Sequence, residues 1–172
     1  VSADQHLHVT APGDREIVLS RTFDAPAGLV FDALTQPELL TRWYGARGWN
    51  LVSCTVDLRV GGRYRFVSRG PEDAELAQSG TYREIERPSR LVYTEVFDDQ
   101  SYPGETLIAH DLAELAATTT LTSTLRYPSP EAREIVLRYP MTRGVGESYG
   151  RLDAVLTELT NRELANRQEK QP

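Results

Sequence analysis

The 172 residues fit one domain, and a chain of that length buries enough apolar surface to fold without disulfides or a structural metal. A net charge of −6 and a pI near 5.1, with no run of Lys or Arg, argue against binding to nucleic acid or to anionic lipid. With 40% apolar and 26% charged residues the composition is that of a globular protein, and no stretch approaches the ~18 apolar residues of a membrane span.

Residues 1–15, with the turn-formers Ala11-Pro12-Gly13-Asp14, show no periodicity and are expected to be a flexible tail. They lack the basic head and apolar block of a secretory signal, so the expected location is the cytoplasm. His6 and His8 have the i, i+2 spacing of one strand face, which offers two metal ligands, but without an evident third ligand a solvated tail is the simpler reading. The stretch 16–24, EIVLSRTFD, is rich in β-formers and predicts a first strand. Asp24-Ala25-Pro26 predicts a helix start, an acidic cap followed by proline, with Val30, Phe31 and Leu34 as its apolar stripe. Thr35-Gln36-Pro37-Glu38 has capping-box spacing and predicts a second short helix through Leu39, Leu40 and Trp43, ended by Gly45 and Gly48.

Strands are then predicted over 51–59 and 63–69, flanking the turn Val60-Gly61-Gly62, and over 78–86, 90–98, 105–115 and 118–126. The single cysteine, Cys54, cannot form an internal bridge. Its alternating neighbours make it a half-buried strand residue rather than a nucleophile. Ser129-Pro130-Glu131 opens another helix, interrupted near Pro140. From there Met141, Val145, Tyr149, Leu152, Val155, Leu156 and Leu159 recur at three- and four-residue steps, the mark of a long amphipathic helix. The polar end, 163–172, is expected to fray, which leaves 16–162 as the single domain.

This order predicts an α+β fold: a curved antiparallel sheet of six to seven strands wrapped around a long C-terminal helix, with two short helices after the first strand. One helix cannot fill the hollow of so large a curved sheet, so an internal cavity is expected.

Four segments carry a family resemblance: RTFDAPAGLVFDALTQPELLTRWYG (21–45), DLRVGGRYRFVSRG (57–70), GTYREIERPSRLVYTEVFDD (80–99) and YPSPEAREIVLRYPMTRGVGESYGRLDAVL (127–156). Together they resemble the bacterial heat-shock-protein-90 ATPase activator homologue family. That family belongs to the SRPBCC superfamily, with START domains, birch-pollen-allergen-like proteins and polyketide cyclases. The resemblance covers about 16–160 and implies a helix-grip fold whose cavity serves lipids, polyketides, hormones or other apolar molecules. In the eukaryotic co-chaperone behind the family name, a related domain is joined to a separate chaperone-binding domain, which a chain of this length is expected to lack.

The candidate chemistry is sparse. Gly146-Glu147-Ser148-Tyr149-Gly150 has the G-x-S-x-G spacing but follows Pro140 rather than a strand, so it does not make the nucleophile elbow that His110 would need, and the glycines of 144–150 are spaced wrongly for a dinucleotide. Gly146 and Gly150 lie one turn apart, which suits close packing of the helix or approach of a ligand. Leu91, Tyr93, Glu95 and Phe97 share one strand phase, as do Ile108, His110 and Leu112. A loop centred near 101–102 would set Tyr93 opposite His110 with Glu95 on the diagonal, a possible general acid/base set; alternatively Val92, Thr94 and Val96 face inward. Trp43, Tyr44 and Trp49 are expected at the cavity mouth, and Tyr64, Phe66 and Tyr82 along one wall. With Tyr93, Phe97, His110, Met141, Val145 and Tyr149 they make the expected ligand-binding lining. The leading reading is a binding protein for an apolar small molecule, monomeric or homodimeric, with no metal or other cofactor. A polyketide-cyclase-like enzyme using Glu95, His110 and Tyr93, a sequestering protein for a reactive natural product, and a co-chaperone-like module are the alternatives.

Overall fold

The computed structural model describes residues 5–171, so 1–4 and 172, the ends of the two expected tails, lie outside the described residues. Eight strands pair antiparallel: β1 (His8–Thr10), β2 (Glu16–Phe23), β3 (Asn50–Val56), β4 (Arg63–Arg69), β5 (Glu75–Glu86), β6 (Arg90–Phe97), β7 (Thr106–Leu115) and β8 (Thr118–Arg126). Their spatial order is β1-β2-β8-β7-β6-β5-β4-β3. Helices α1 (Ala27–Thr35) and α2 (Pro37–Trp43) carry the chain from β2 to the far edge at β3, while α3 (Pro130–Leu137) and α4 (Met141–Glu169) follow β8. The arrangement is the α+β helix-grip fold.

Strand alternation decides which side faces the helices. In β2, Ile17, Leu19, Arg21 and Phe23 are buried, and in β8, Thr119, Leu121, Ser123 and Leu125. The opposite face of β8 presents threonines, and Thr22 and Thr120 join hydroxyls across the β2–β8 pair at 3.0 Å. Bulges between Leu51 and Ser53 and between Tyr82 and Glu84 shift register and bend the sheet. Helix α4 covers the buried face with Tyr149, Leu152, Val155 and Leu156, and Tyr149 stands edge-on to Phe23 at 5.4 Å between centroids. The Arg21 guanidinium is buried at the same junction, donating to the Tyr149 carbonyl at 2.9 Å and to the Asp153 carboxylate.

Several local expectations change. The segment expected to be a loose tail supplies β1, in which His8 pairs with Ser20. This edge strand raises the count above the six to seven expected. The start of α1 is not capped by Asp24: Pro26 is the N-cap residue, and the Ala27 N–H donates 2.8 Å to Glu114 at the far end of β7. Thr35 and Glu38 do not form a capping box, because Gln36 holds the cap position and the Thr35 hydroxyl, turned inward, donates to the Phe31 carbonyl at 2.8 Å. Ser129 does cap α3, accepting from the Ala132 N–H at 3.1 Å. At the C-terminus the polar stretch does not fray at 163. It stays helical to Glu169 as an exposed rod, with Arg162 paired to Glu158 one turn back at 2.6 Å. Nor do Gly146 and Gly150 mark a close approach, since a Cβ at either would meet open space.

Candidate functional site

The apolar interior falls into two clusters, where a domain usually has one continuous core. The larger gathers α1, α2 and α4 over one part of the sheet, with Phe23, Phe31, Trp43, Tyr64 and Leu152 among its members. The smaller joins Ile17, Leu19, Ile108, Leu125 and Tyr127 to Ala132 of α3. Tyr93 and Val145 pack against both. Between the clusters lies a cavity of about 670 Å³ that takes its walls from each. An apolar hollow of about 150 Å³ already accepts benzene, so the space suits a much larger guest.

One wall is aromatic. Tyr44, Tyr64, Phe66, Tyr82 and Tyr93 form a continuous series of edge-to-face and tilted ring contacts with centroid separations of 5.0 to 6.0 Å. Rings locked in this way resist collapsing into the space they border. Val145, Ser148 and Tyr149 of α4 line the opposite side. Lining residues that are also exposed mark where the hollow reaches solvent: Asp99 and Ser101 in the β6–β7 loop, Leu76 on β5, and Tyr139 at the corner between α3 and α4.

Polar groups on the wall are mostly paired with one another. The Tyr64 hydroxyl donates to the Thr94 carbonyl at 2.8 Å, and the Gln78 amide donates to the Tyr44 hydroxyl at 2.6 Å. His110 is held at both nitrogens, Nε2 by the Tyr93 hydroxyl at 2.8 Å and Nδ1 by the Ser123 hydroxyl at 2.7 Å. Burial lowers the His110 pKa to about 4, outweighing the opposing pull of Asp111, so the imidazole is neutral near pH 7. Glu95 is different. Its carboxyl lines the cavity with no hydrogen-bond partner among the described residues, and burial alone raises its pKa to about 7. Burial also raises the phenol pKa values of Tyr44, Tyr64, Tyr93, Tyr102 and Tyr127, which line the same cavity, and the charge of Glu95 raises each further.

The expected lining residues Trp43, Tyr44, Tyr64, Phe66, Tyr82, Tyr93, Phe97, His110, Met141, Val145 and Tyr149 all border the cavity. Trp49 does not: its indole lies flat on Gly70, where an added Cβ would come within 2.5 Å of the ring. On β6 the inward phase is Tyr93, Glu95 and Phe97, not Val92, Thr94 and Val96. The register differs from expectation, with His110 opposite Leu91, Tyr93 opposite Ile108 and Glu95 opposite Thr106. Tyr93 still reaches His110 on the diagonal, but Glu95 lies four residues, about 13 Å of strand, beyond the His110 rung. The three side chains therefore do not assemble into one acid/base set. Ser123, Gln78, Tyr102 and Tyr127 border or brace the site without having been expected there. The inward phase of β8 was the available signal for Ser123; Tyr102 sits in a loop, where strand phase says nothing. Cys54 is half-buried with its thiol pKa raised to about 11, first by burial and then by Glu38, so it is a poor nucleophile. Among the described residues no three His, Cys, Asp or Glu side chains gather closely enough to hold a metal ion, and no helix is long and apolar enough to cross a membrane.

The model of the family described as Activator of Hsp90 ATPase homolog 1-like protein matches residues 24–157. A crystal structure of a protein from Rhodobacter sphaeroides is similar at 31% identity and TM-score 0.84, covering 89% of this chain and 99% of that one. A second crystal structure, of a Nitrosomonas europaea protein, gives 25% identity and TM-score 0.78 over 88% of this chain and 99% of its own. An HSP90 activator from Plasmodium falciparum shares the fold at 22% identity and TM-score 0.52, covering 66% of this chain and 74% of that one. No curated protein matches the chain.

Proposed function

This chain belongs to the Activator of Hsp90 ATPase homolog 1-like family, and from that premise and the cavity we propose that it binds a hydrophobic small molecule of lipid or polyketide character. The observation that carries the reading is the hollow of about 670 Å³, walled by aromatic and aliphatic side chains and reaching solvent beside the β6–β7 loop. Binding is favoured over catalysis because His110 is neutral and engaged at both nitrogens, while Glu95 stands apart from it. Native mass spectrometry of the protein purified from its own host tests this: a co-purifying apolar molecule is the expected result. Absence of any such molecule, together with no thermal stabilisation by apolar compounds, overturns it.

The family description and the name of the Plasmodium neighbour favour a second reading, a module that contacts an Hsp90-type chaperone. Pull-down with the host chaperone separates the two. Under the second reading the chaperone is captured and small apolar compounds leave its capture unchanged.

A further inference from the structure

The cavity wall is negatively biased. Glu95 and Asp99 line it, no Lys or Arg among the described residues does, and the His110 imidazole on the wall is neutral. The nearby Arg21 is committed to the Tyr149 carbonyl and to Asp153. Most other wall polar groups described above satisfy each other; the Tyr82 and Tyr127 hydroxyls also lack a hydrogen-bond partner among the described residues, but they are neutral, so Glu95 is the unpartnered interior group able to carry a charge. Tyrosine rings line the same cavity, and their electron-rich faces attract cations.

We propose that the ligand is an amphipathic amine, an apolar body with a protonated nitrogen that ion-pairs with the Glu95 carboxylate inside the tyrosine-lined cavity. The inference rests on the small-molecule reading above and names the chemical class of its ligand. A buried carboxylate without a partner is unfavourable, and an ammonium group supplies both the opposite charge and the missing hydrogen-bond donors. A fatty acid would place a second negative charge beside Glu95. A neutral chain would leave the carboxyl unpaired. Asp99, at the opening, adds attraction for an incoming cation.

The test is calorimetric titration with decylamine, decan-1-ol and decanoate, each below its micelle concentration, at about pH 8, into wild type and Glu95→Gln. At that pH Glu95 is ionised, and the groups facing it, Tyr44, Tyr64, Tyr93, Tyr102 and Tyr127, remain neutral phenols. In wild type the amine binds about tenfold tighter than the alcohol, and decanoate weakest, as a charge-assisted hydrogen bond requires. In Glu95→Gln, with an unchanged circular dichroism spectrum, the amine falls to within about twofold of the alcohol while the alcohol keeps its wild-type affinity. An alcohol that binds wild type as well as the amine overturns the proposal whether or not the variant folds. So does an amine preference that survives in Glu95→Gln. In both cases the cavity remains a binding site; if none of the three compounds binds, the small-molecule reading fails and this proposal with it.

Discussion

Replacing Glu95 with glutamine removes an ionisable group while keeping its shape, so the effect on folding measures what the cavity imposes on a charge. The unfolded carboxyl titrates near 4.5 and the folded one near 7. Below pH 4.5 both states are protonated and the group has no pH-dependent effect. Between the two values the unfolded chain releases its proton and the folded chain keeps it, so stability falls as pH rises. Above about 7 both are ionised and the loss is complete: the interval at about 1.4 kcal/mol per pH unit gives about 3 kcal/mol. Glu95→Gln is therefore expected to match wild type at acid pH and to exceed it by about 3 kcal/mol at about pH 8. In urea titrations with a slope of about 2 kcal/mol/M, that is a midpoint higher by about 1.5 M. A variant whose midpoint differs from wild type by the same amount at about pH 4.5 and about pH 8 would refute the reasoning, because the effect would then not come from ionisation.

Filling the hollow by Val145→Trp is expected to preserve the fold but abolish ligand stabilisation. Wild type should gain about 2.7 kcal/mol from an apolar ligand at a hundredfold excess over Kd, read as a Tm shift, and the variant nothing. The β7–β8 turn places Ala116 and Ala117 in the left-handed region, at φ 50° and 61°. The double change Ala116→Asn, Ala117→Gly should raise stability by about 1–2 kcal/mol in urea unfolding, since alanine is strained there. Asp153→Ala should cost about 3 kcal/mol by leaving Arg21 buried without its carboxylate, at the lower end for buried pairs because Asp153 is partly exposed. Adding Arg21→Met should recover much of that loss in the same assay, since no charge then remains to be compensated.

Strand phase was legible in the sequence because its period is two and one face is buried. Leu91, Tyr93, Glu95 and Phe97 could be grouped on that basis, and most lining residues followed. Register was not legible. Moving the centre of the β6–β7 loop by one residue slides the pairing by two, which preserves every facing direction yet carries Glu95 away from His110. Long-range caps were equally hidden. Nothing near Ala27 in the chain announces that Glu114, 87 residues later, will accept from its N–H. Trp49 was misplaced for the converse reason: proximity in sequence to Trp43 and Tyr44 suggested a shared role, but Gly70 offers a flat seat that only folding brings beside the indole. And β1 was missed because three residues among turn-formers carry too little periodicity to read.

The pairing of polar groups on the wall bears on selectivity. A ligand entering the cavity meets tyrosines, a glutamine, a histidine and serines, a list that suggests many available hydrogen bonds. Yet the Tyr64 hydroxyl is donated to the Thr94 carbonyl, Gln78 and Tyr44 are joined, and Tyr93, His110 and Ser123 form a closed chain. Redirecting a donor already committed in these pairs would break an existing hydrogen bond in a low-dielectric space, which returns little net free energy. The aromatic wall therefore offers area rather than polar recognition, and area alone discriminates poorly between apolar guests. Discrimination has to come from the group that gains most from a partner, and on this wall that group is Glu95.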